Sequence, residues 1–116
     1  RDLAKRSIQG AIAGRYCTLS VITDEDPRGE DREAIIAQIA EGVAGAGRRP
    51  GEGYLCIPDR RAAIRAAFAA AQPGELVLLL GKGHEGSIIY AHGSEPWDEA
   101  AVARELLAEH GYVVEE

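Results

Sequence analysis

The sequence predicts an α/β fold, a mostly parallel sheet flanked by helices on both faces. Short apolar runs rich in β-branched residues alternate along the chain with helix-length segments whose apolar residues recur every three or four positions. Glycine, proline and aspartate punctuate the junctions between them. One run, Leu76–Leu80, is an unbroken aliphatic stretch of the kind that fills the interior of parallel sheets.

In order, residues 3–15 read as a helix, with Ile8 and Ile12 four apart and Gly14 near its end. Residues 17–23 follow as a strand dominated by β-branched side chains. The polar loop 24–29 breaks the pattern. From Asp31 to Ala46, the spacing of Ile35, Ile36, Ile39 and Val43 lays one apolar stripe along a helix that Gly47 terminates. Tyr54–Ile57 reads as a short strand. Asp59 is placed to cap the next helix, where Ile64, Phe68 and Ala71 recur at helical spacing until Pro73 and Gly74. The strand 75–80 then leads into the turn Gly81–Glu85. Ser87–Tyr90 resumes an extended run, an edge or antiparallel strand. Asp98 caps a last helix carrying Val102, Leu106 and His110 on one face and ended by Gly111.

At 116 residues the chain is expected to form one domain with a core of its own. A net charge of −6 argues against nucleic acid or an anionic membrane as partner, and the dispersed acidity is that of a solvated surface. Aromatics make up 5% of residues, too few for a base-stacking platform. No apolar run approaches the roughly 20 residues of a membrane span, and no secretory h-region is seen, so a cytoplasmic location is expected. Cys17 and Cys56 are far apart, lack metal or redox spacing, and are expected to be buried free thiols. The lack of methionine, with Arg1 in first place, reads as part of a longer translated chain.

If the sheet is parallel, three strand ends deliver Glu25-Asp26-Pro27-Arg28, Asp59-Arg60 and Gly81–Glu85 to one rim, where open α/β sheets collect ligands. The glycines of the last segment permit a tight turn and close approach to a ligand. Lys82 and Glu85 offer opposite charges, Arg28 suits bidentate carboxylate binding, and Glu25, Asp26 and Glu85 suit ammonium groups. Such a rim fits a zwitterion such as a free amino acid. The same residues also read as a plain turn with solvated charges. No nucleophile has an adjacent base, and His84, His92 and His110 show no metal-ligand spacing. His84 is read as a structural group or one that supports a neighbouring ligand-binding residue, with a catalytic base as the alternative.

Two motifs add up to more than their local chemistry. Thr23-Asp24-Glu25-Asp26-Pro27-Arg28 with the following Ala34-Ile35-Ile36 helix, and Gly81-Lys82-Gly83-His84-Glu85, closely resemble the C-terminal domain of the Mur ligases. The nearest branch adds a diamino acid to UDP-N-acetylmuramoyl-L-alanyl-D-glutamate (the MurE type). Arg1-Asp2-Leu3-Ala4-Lys5-Arg6 is similar to that family's Arg-Asp-x-x-Lys-Arg segment, and Pro96-Trp97-Asp98 with Val102-Ala103-Arg104 to its last helix. The resemblance spans almost the whole chain, with four motifs in the family's order.

The resemblance implies a Rossmann-like domain over residues 1–116, part of a larger enzyme, with the family's first strand expected just before Arg1. It implies an ATP- and Mg2+-dependent amide-forming reaction in peptidoglycan precursor synthesis. There the D-glutamate γ-carboxylate is phosphorylated and the amine of lysine, ornithine or meso-diaminopimelate attacks the acyl phosphate. Holding that amine close is proximity catalysis. By the same resemblance, Arg28 and the residue at 26 bind the far end of the amino acid, Gly81 and Glu85 its ammonium group, and Arg1 a substrate carboxylate. Lys5 and Lys82 would be the phosphate-proximal cations, and no catalytic residue falls within these residues.

There are departures from the family. Asp26 stands where the diaminopimelate branch usually has asparagine, which by charge repulsion tilts the expectation toward lysine or ornithine. No Gly-x-x-x-x-Gly-Lys-Ser/Thr phosphate loop occurs, so ATP and magnesium are expected to belong to a central domain of the same enzyme and this piece alone to be inactive. Expected partners are the amino acid and the UDP-muramoyl-dipeptide, with no nucleic acid and no membrane. The alternatives are a stand-alone amino-acid or phosphate-binding module, or the same domain from a folate or poly-amino-acid ligase.

Overall fold

The computed structural model describes residues 3–82 and 85–112. The elements in chain order are α1 (Leu3–Tyr16), β1 (Ser20–Ile22), α2 (Arg32–Gly45), β2 (Tyr54–Cys56), α3 (Arg60–Ala70), β3 (Ser87–Tyr90), β4 (Gly93–Pro96) and α4 (Glu99–Glu109). The α/β class is the one predicted.

β1 and β2 run parallel, with Ser20 opposite Tyr54 and Ile22 opposite Cys56. A parallel pair needs a long crossover, and α2 supplies it. That helix starts where Asp31 accepts from the Glu33 N–H at 3.0 Å. Its buried Ile36 and Val43 pack on Ile22, with Ile39, Ala40 and Tyr54 around them. Asp59 and Asp98 cap α3 and α4 in the same way, accepting from the N–H groups of Ala62 and Ala101. A second cluster joins those two helices through Ile64, Val102 and Leu106, flanked by Phe68, Leu79 and Trp97.

Several expectations are corrected. α1 packs on α2, but Ile8 and Ile12 are exposed. The contact runs over glycines instead. A Cβ on Gly10 would stand 2.0 Å from the Ile39 carbonyl oxygen, and one on Gly42 2.0 Å from that of Ser7. The backbones touch because neither residue has a side chain. The first strand is shorter than read, since α1 persists to Tyr16 and the Cys17 N–H still bonds the Ala13 carbonyl. Cys17 is half-buried and Cys56 exposed, so neither is a core thiol.

The run 75–80 is not a paired strand among the described residues. Leu79 turns inward onto the α3–α4 cluster, while Leu76, Leu78 and Leu80 are 81%, 63% and 74% exposed. The segment alternates as an extended chain does, but no described strand lies beside it to form a ladder. The second sheet is the antiparallel hairpin β3–β4, with Ser87 opposite Pro96 and Tyr90 opposite Gly93. β4 was not legible, because Gly-Ser-Glu-Pro has no strand composition and is exposed throughout.

Candidate functional site

The loop after β1 is held beside the β2–α3 junction. The Asp24 N–H and the Thr23 hydroxyl both donate to the Pro58 carbonyl, at 3.1 and 2.9 Å. The Asp24 side chain is buried and accepts from the Arg32 guanidinium. From this anchor the chain emerges as Glu25-Asp26-Pro27-Arg28, and Asp26 turns toward the segment following residue 80.

There Lys82 meets two carboxylates. Its Nζ donates to Asp26 Oδ1 and to Glu85 Oε1, each at 2.8 Å, and its side chain is 0% exposed. Asp26 Oδ1 also accepts the Ile89 N–H of β3 at 2.9 Å. Burial alone would push the Asp26 carboxyl up. The Lys82 hydrogen bond, the Ile89 N–H and the charges of Lys82 and Arg28 outweigh it and hold the group below its ordinary value. Burial likewise pulls the Lys82 ammonium down, and its two carboxylate partners more than reverse that, so its pKa is raised.

Glu25 completes the group. Its carboxylate lies against Gly81, where a Cβ would come within 3.0 Å of Cδ. Gly81 has φ +100°, so both conformation and space call for glycine. Partial desolvation, then the charges of Asp26 and Glu85, push the Glu25 carboxyl up, with Lys82 opposing. Three carboxylates around one ammonium leave this pole net negative.

Arg28 stands apart from that pole. Its backbone is left-handed (φ +55°), the one non-glycine residue so placed among those described, and its N–H donates to the Ile89 carbonyl at 2.9 Å. A bulky residue there costs of order 1 kcal/mol, a cost that functional loops often carry. The guanidinium has no ion pair among the described residues and lines a cleft of about 400 Å³ with Glu30, Arg32, Asp59, Tyr90, His92 and Glu95. Most of those charges are engaged elsewhere: Glu30 with Arg6, Arg32 with Asp24, and Glu95 with His92. Tyr90 forms part of the wall, with His92 stacked on it at 5.2 Å and Arg32 over its ring at 5.9 Å.

The structure therefore brings together Glu25, Asp26, Gly81, Lys82 and Glu85, with Arg28 on the neighbouring cleft. Lys82 has no exposed ammonium for a phosphate. Lys5 lies exposed in the first turns of α1. Arg1 and His84 lie outside the described residues. Among the described residues no three His, Cys, Asp or Glu side chains converge as metal ligands.

Sequence reasoning missed the buried group beneath the site. Arg60, 4% exposed, donates from Nε and Nη2 to Glu99 at 2.9 and 2.5 Å, from Nη1 to the Asp24 carbonyl at 3.0 Å, and from Nη2 to the Leu80 carbonyl at 2.9 Å. Glu99 also accepts from the Trp97 indole N–H at 2.9 Å. Burial raises the Glu99 carboxyl, but the Arg60 and Trp97 hydrogen bonds prevail and lower it. Only the adjacency of Asp59-Arg60 to the predicted rim hinted at this group.

Comparison with known proteins agrees with the motifs. A family profile described as Mur ligase, glutamate ligase domain, matches residues 1–83. A UDP-N-acetylmuramyl-tripeptide synthetase from Roseiflexus sp. (strain RS-1) is 67% identical over 112 residues, which cover 97% of this chain and 22% of that protein. One from Treponema pallidum (strain Nichols) is 55% identical over 107 residues, 92% of this chain and 19% of the relative. A UDP-N-acetylmuramoyl-L-alanyl-D-glutamate--2,6-diaminopimelate ligase from Caldanaerobacter subterraneus subsp. tengcongensis is 40% identical over 109 residues, 94% of this chain and 22% of the relative. The chain thus spans about a fifth of the length of these curated relatives.

Proposed function

From the premise that the chain belongs to the Mur ligase family, by its glutamate ligase domain, we propose that it is the amino-acid-binding C-terminal domain of a peptidoglycan-precursor ligase. In that reading the whole enzyme joins a diamino acid to UDP-N-acetylmuramoyl-L-alanyl-D-glutamate through an acyl phosphate. ATP and magnesium belong to the part of the enzyme outside these residues. This domain binds the incoming amino acid and holds its attacking amine in place, which is where its share of the catalysis lies.

The observation that carries the reading is the pairing of two unlike poles. Around Lys82 sits a net negative cluster, and beside it Arg28 faces a cleft with no ion partner among the described residues. An amino-acid terminus, bearing both an ammonium and a carboxylate, satisfies both poles, whereas a bare ammonium satisfies one. Asp26 was expected to repel a distal carboxylate, but it is engaged by Lys82 at 2.8 Å, and such a carboxylate falls to Arg28 on the neighbouring cleft. The balance therefore moves toward meso-diaminopimelate and away from lysine or ornithine. Arg1 and Lys5 keep their proposed roles toward a substrate carboxylate and phosphate on the resemblance alone.

The test is phosphate release by the full-length enzyme with ATP, magnesium and UDP-N-acetylmuramoyl-L-alanyl-D-glutamate, offering the three amino acids in turn. Release that depends on meso-diaminopimelate is expected. Release dependent on none of them, from folded enzyme, would overturn the reading in favour of a non-catalytic binding module or another Mur-like ligase.

A further inference from the structure

We propose that Arg60 is a positioning residue that sets the spacing between the two loops of the amino-acid site. The proposal rests on reading those loops as that site. Arg60 opens α3 and is not in the cluster around Lys82, yet its guanidinium reaches the last backbone carbonyl before each loop. Nη1 donates to the carbonyl of Asp24, immediately ahead of Glu25 and Asp26. Nη2 donates to the carbonyl of Leu80, immediately ahead of Gly81 and Lys82. The remaining face of the fork is clamped by Glu99, itself held by Trp97.

A planar guanidinium fixes the directions of its N–H groups, so carbonyls bonded to opposite parts of it are fixed relative to each other. The run 75–80 has no ladder partner among the described residues. The Arg60 bond is thus a direct tie between its end and the loop after β1. That tie acts at the roots of the loops beside the direct Asp26–Lys82 pair, and the shape of the negative pole depends on both.

A purely structural role would be redundant at this place. α3 and α4 already share the Ile64–Val102–Leu106 cluster, and on their outer side Arg61 and Arg65 pair with Glu105 and Glu109. A buried ion pair adds little net stability compared with apolar packing of the same volume. What Arg60 supplies, and an apolar residue could not, is two aimed donors at the roots of the site.

The experiment uses the full-length ligase carrying Arg60→Lys or Glu99→Gln, with Arg61→Ala as a control on the same helix. Lysine keeps the charge but cannot reach four acceptors from one ammonium. Glutamine turns an amide N–H toward the Arg60 fork and removes its clamp. KM is measured separately for the amino acid and for ATP, together with kcat and the thermal midpoint. Both variants are expected to lower kcat/KM for the amino acid between about tenfold and a hundredfold, as misplacement by about 1 Å does, with KM for ATP unchanged and Arg61→Ala without effect. A lowered thermal midpoint with kcat and the amino-acid KM both unchanged would mark Arg60 as a strut and overturn the proposal. So would loss of fold in both variants. An unsubstituted enzyme whose phosphate release ignores the amino acid would instead refute the underlying reading of the site.

Discussion

The Lys82 ammonium lies 2.8 Å from Asp26 Oδ1 although the two residues are 56 positions apart, and Glu85 accepts from the same ammonium at the same distance. An enclosed amine is tolerable in the folded protein because it is paired and hydrogen-bonded. The pair joins the loop after β1 to the segment following residue 80, and the Ile89 N–H ties β3 to the same oxygen. Asp26 is therefore a structural anion before it is a ligand-binding one.

Replacing Asp26 by asparagine is expected to cost about 1.5–3 kcal/mol, the range for a hydrogen bond to a charged group. Chemical denaturation measures it. The same variant is expected not to improve the use of meso-diaminopimelate. A stability-neutral Asp26→Asn with better diaminopimelate turnover would show that the carboxylate acts as a free pole.

Stability should fall on both sides of neutrality. The folded-state pKa of Asp26 lies below its ordinary 3.8, and that of Glu99 below 4.5. Each contributes stability present above its ordinary value and lost as the pH drops through the lowered one. Lys82 is raised above 10.5, so its contribution is complete below that value and lost as the pH climbs through the raised one. Glu25 works the other way, its raised carboxyl favouring the fold when protonated. Denaturation midpoints from neutral pH down to about pH 2 should show a descending acid arm. Glu99→Gln should flatten that arm, and an unchanged arm would count against the Arg60–Glu99 pairing.

The α1–α2 contact makes a sharp comparison between two glycines on one helix. Gly42→Ala is expected to cost about 1–3 kcal/mol, because the new Cβ falls 2.0 Å from the Ser7 carbonyl and the helices must part. Gly45→Ala meets nothing within 4 Å and should be neutral or stabilising by up to about 1 kcal/mol. Thermal melts of the two variants distinguish them. Equal effects would mean that the helices do not touch at Gly42.

Much of the framework was legible because it is local. Asp59 and Asp98 cap the helices they were read to cap, and β1 and β2 form the parallel pair that an intervening amphipathic helix implies. What was not legible depends on partners distant in the chain. The aliphatic run 75–80 looks doubly buried, yet burial needs a neighbour on each face, and among the described residues only the Leu79 face has one. Ile8 and Ile12 marked a helix but not its buried side, since a glycine interface leaves no hydrophobic signal. Among the site residues, the sequence showed the charges of Asp26, Lys82 and Glu85 but not that the lysine is buried between the two carboxylates. Arg60 and Glu99 are 39 positions apart, and nothing periodic links them.

The central claim is that Arg28 receives the distal carboxylate of the amino acid while the cluster around Lys82 receives its ammonium. The most direct test is the ratio of kcat/KM for meso-diaminopimelate to that for lysine, measured in the full-length ligase and in its Arg28→Ala variant. The predicted result is a preference for meso-diaminopimelate that falls at least about tenfold, or roughly 1.4 kcal/mol of discrimination, on substitution. A ratio unchanged by the substitution in folded enzyme, or a preference for lysine in the unsubstituted one, would contradict it.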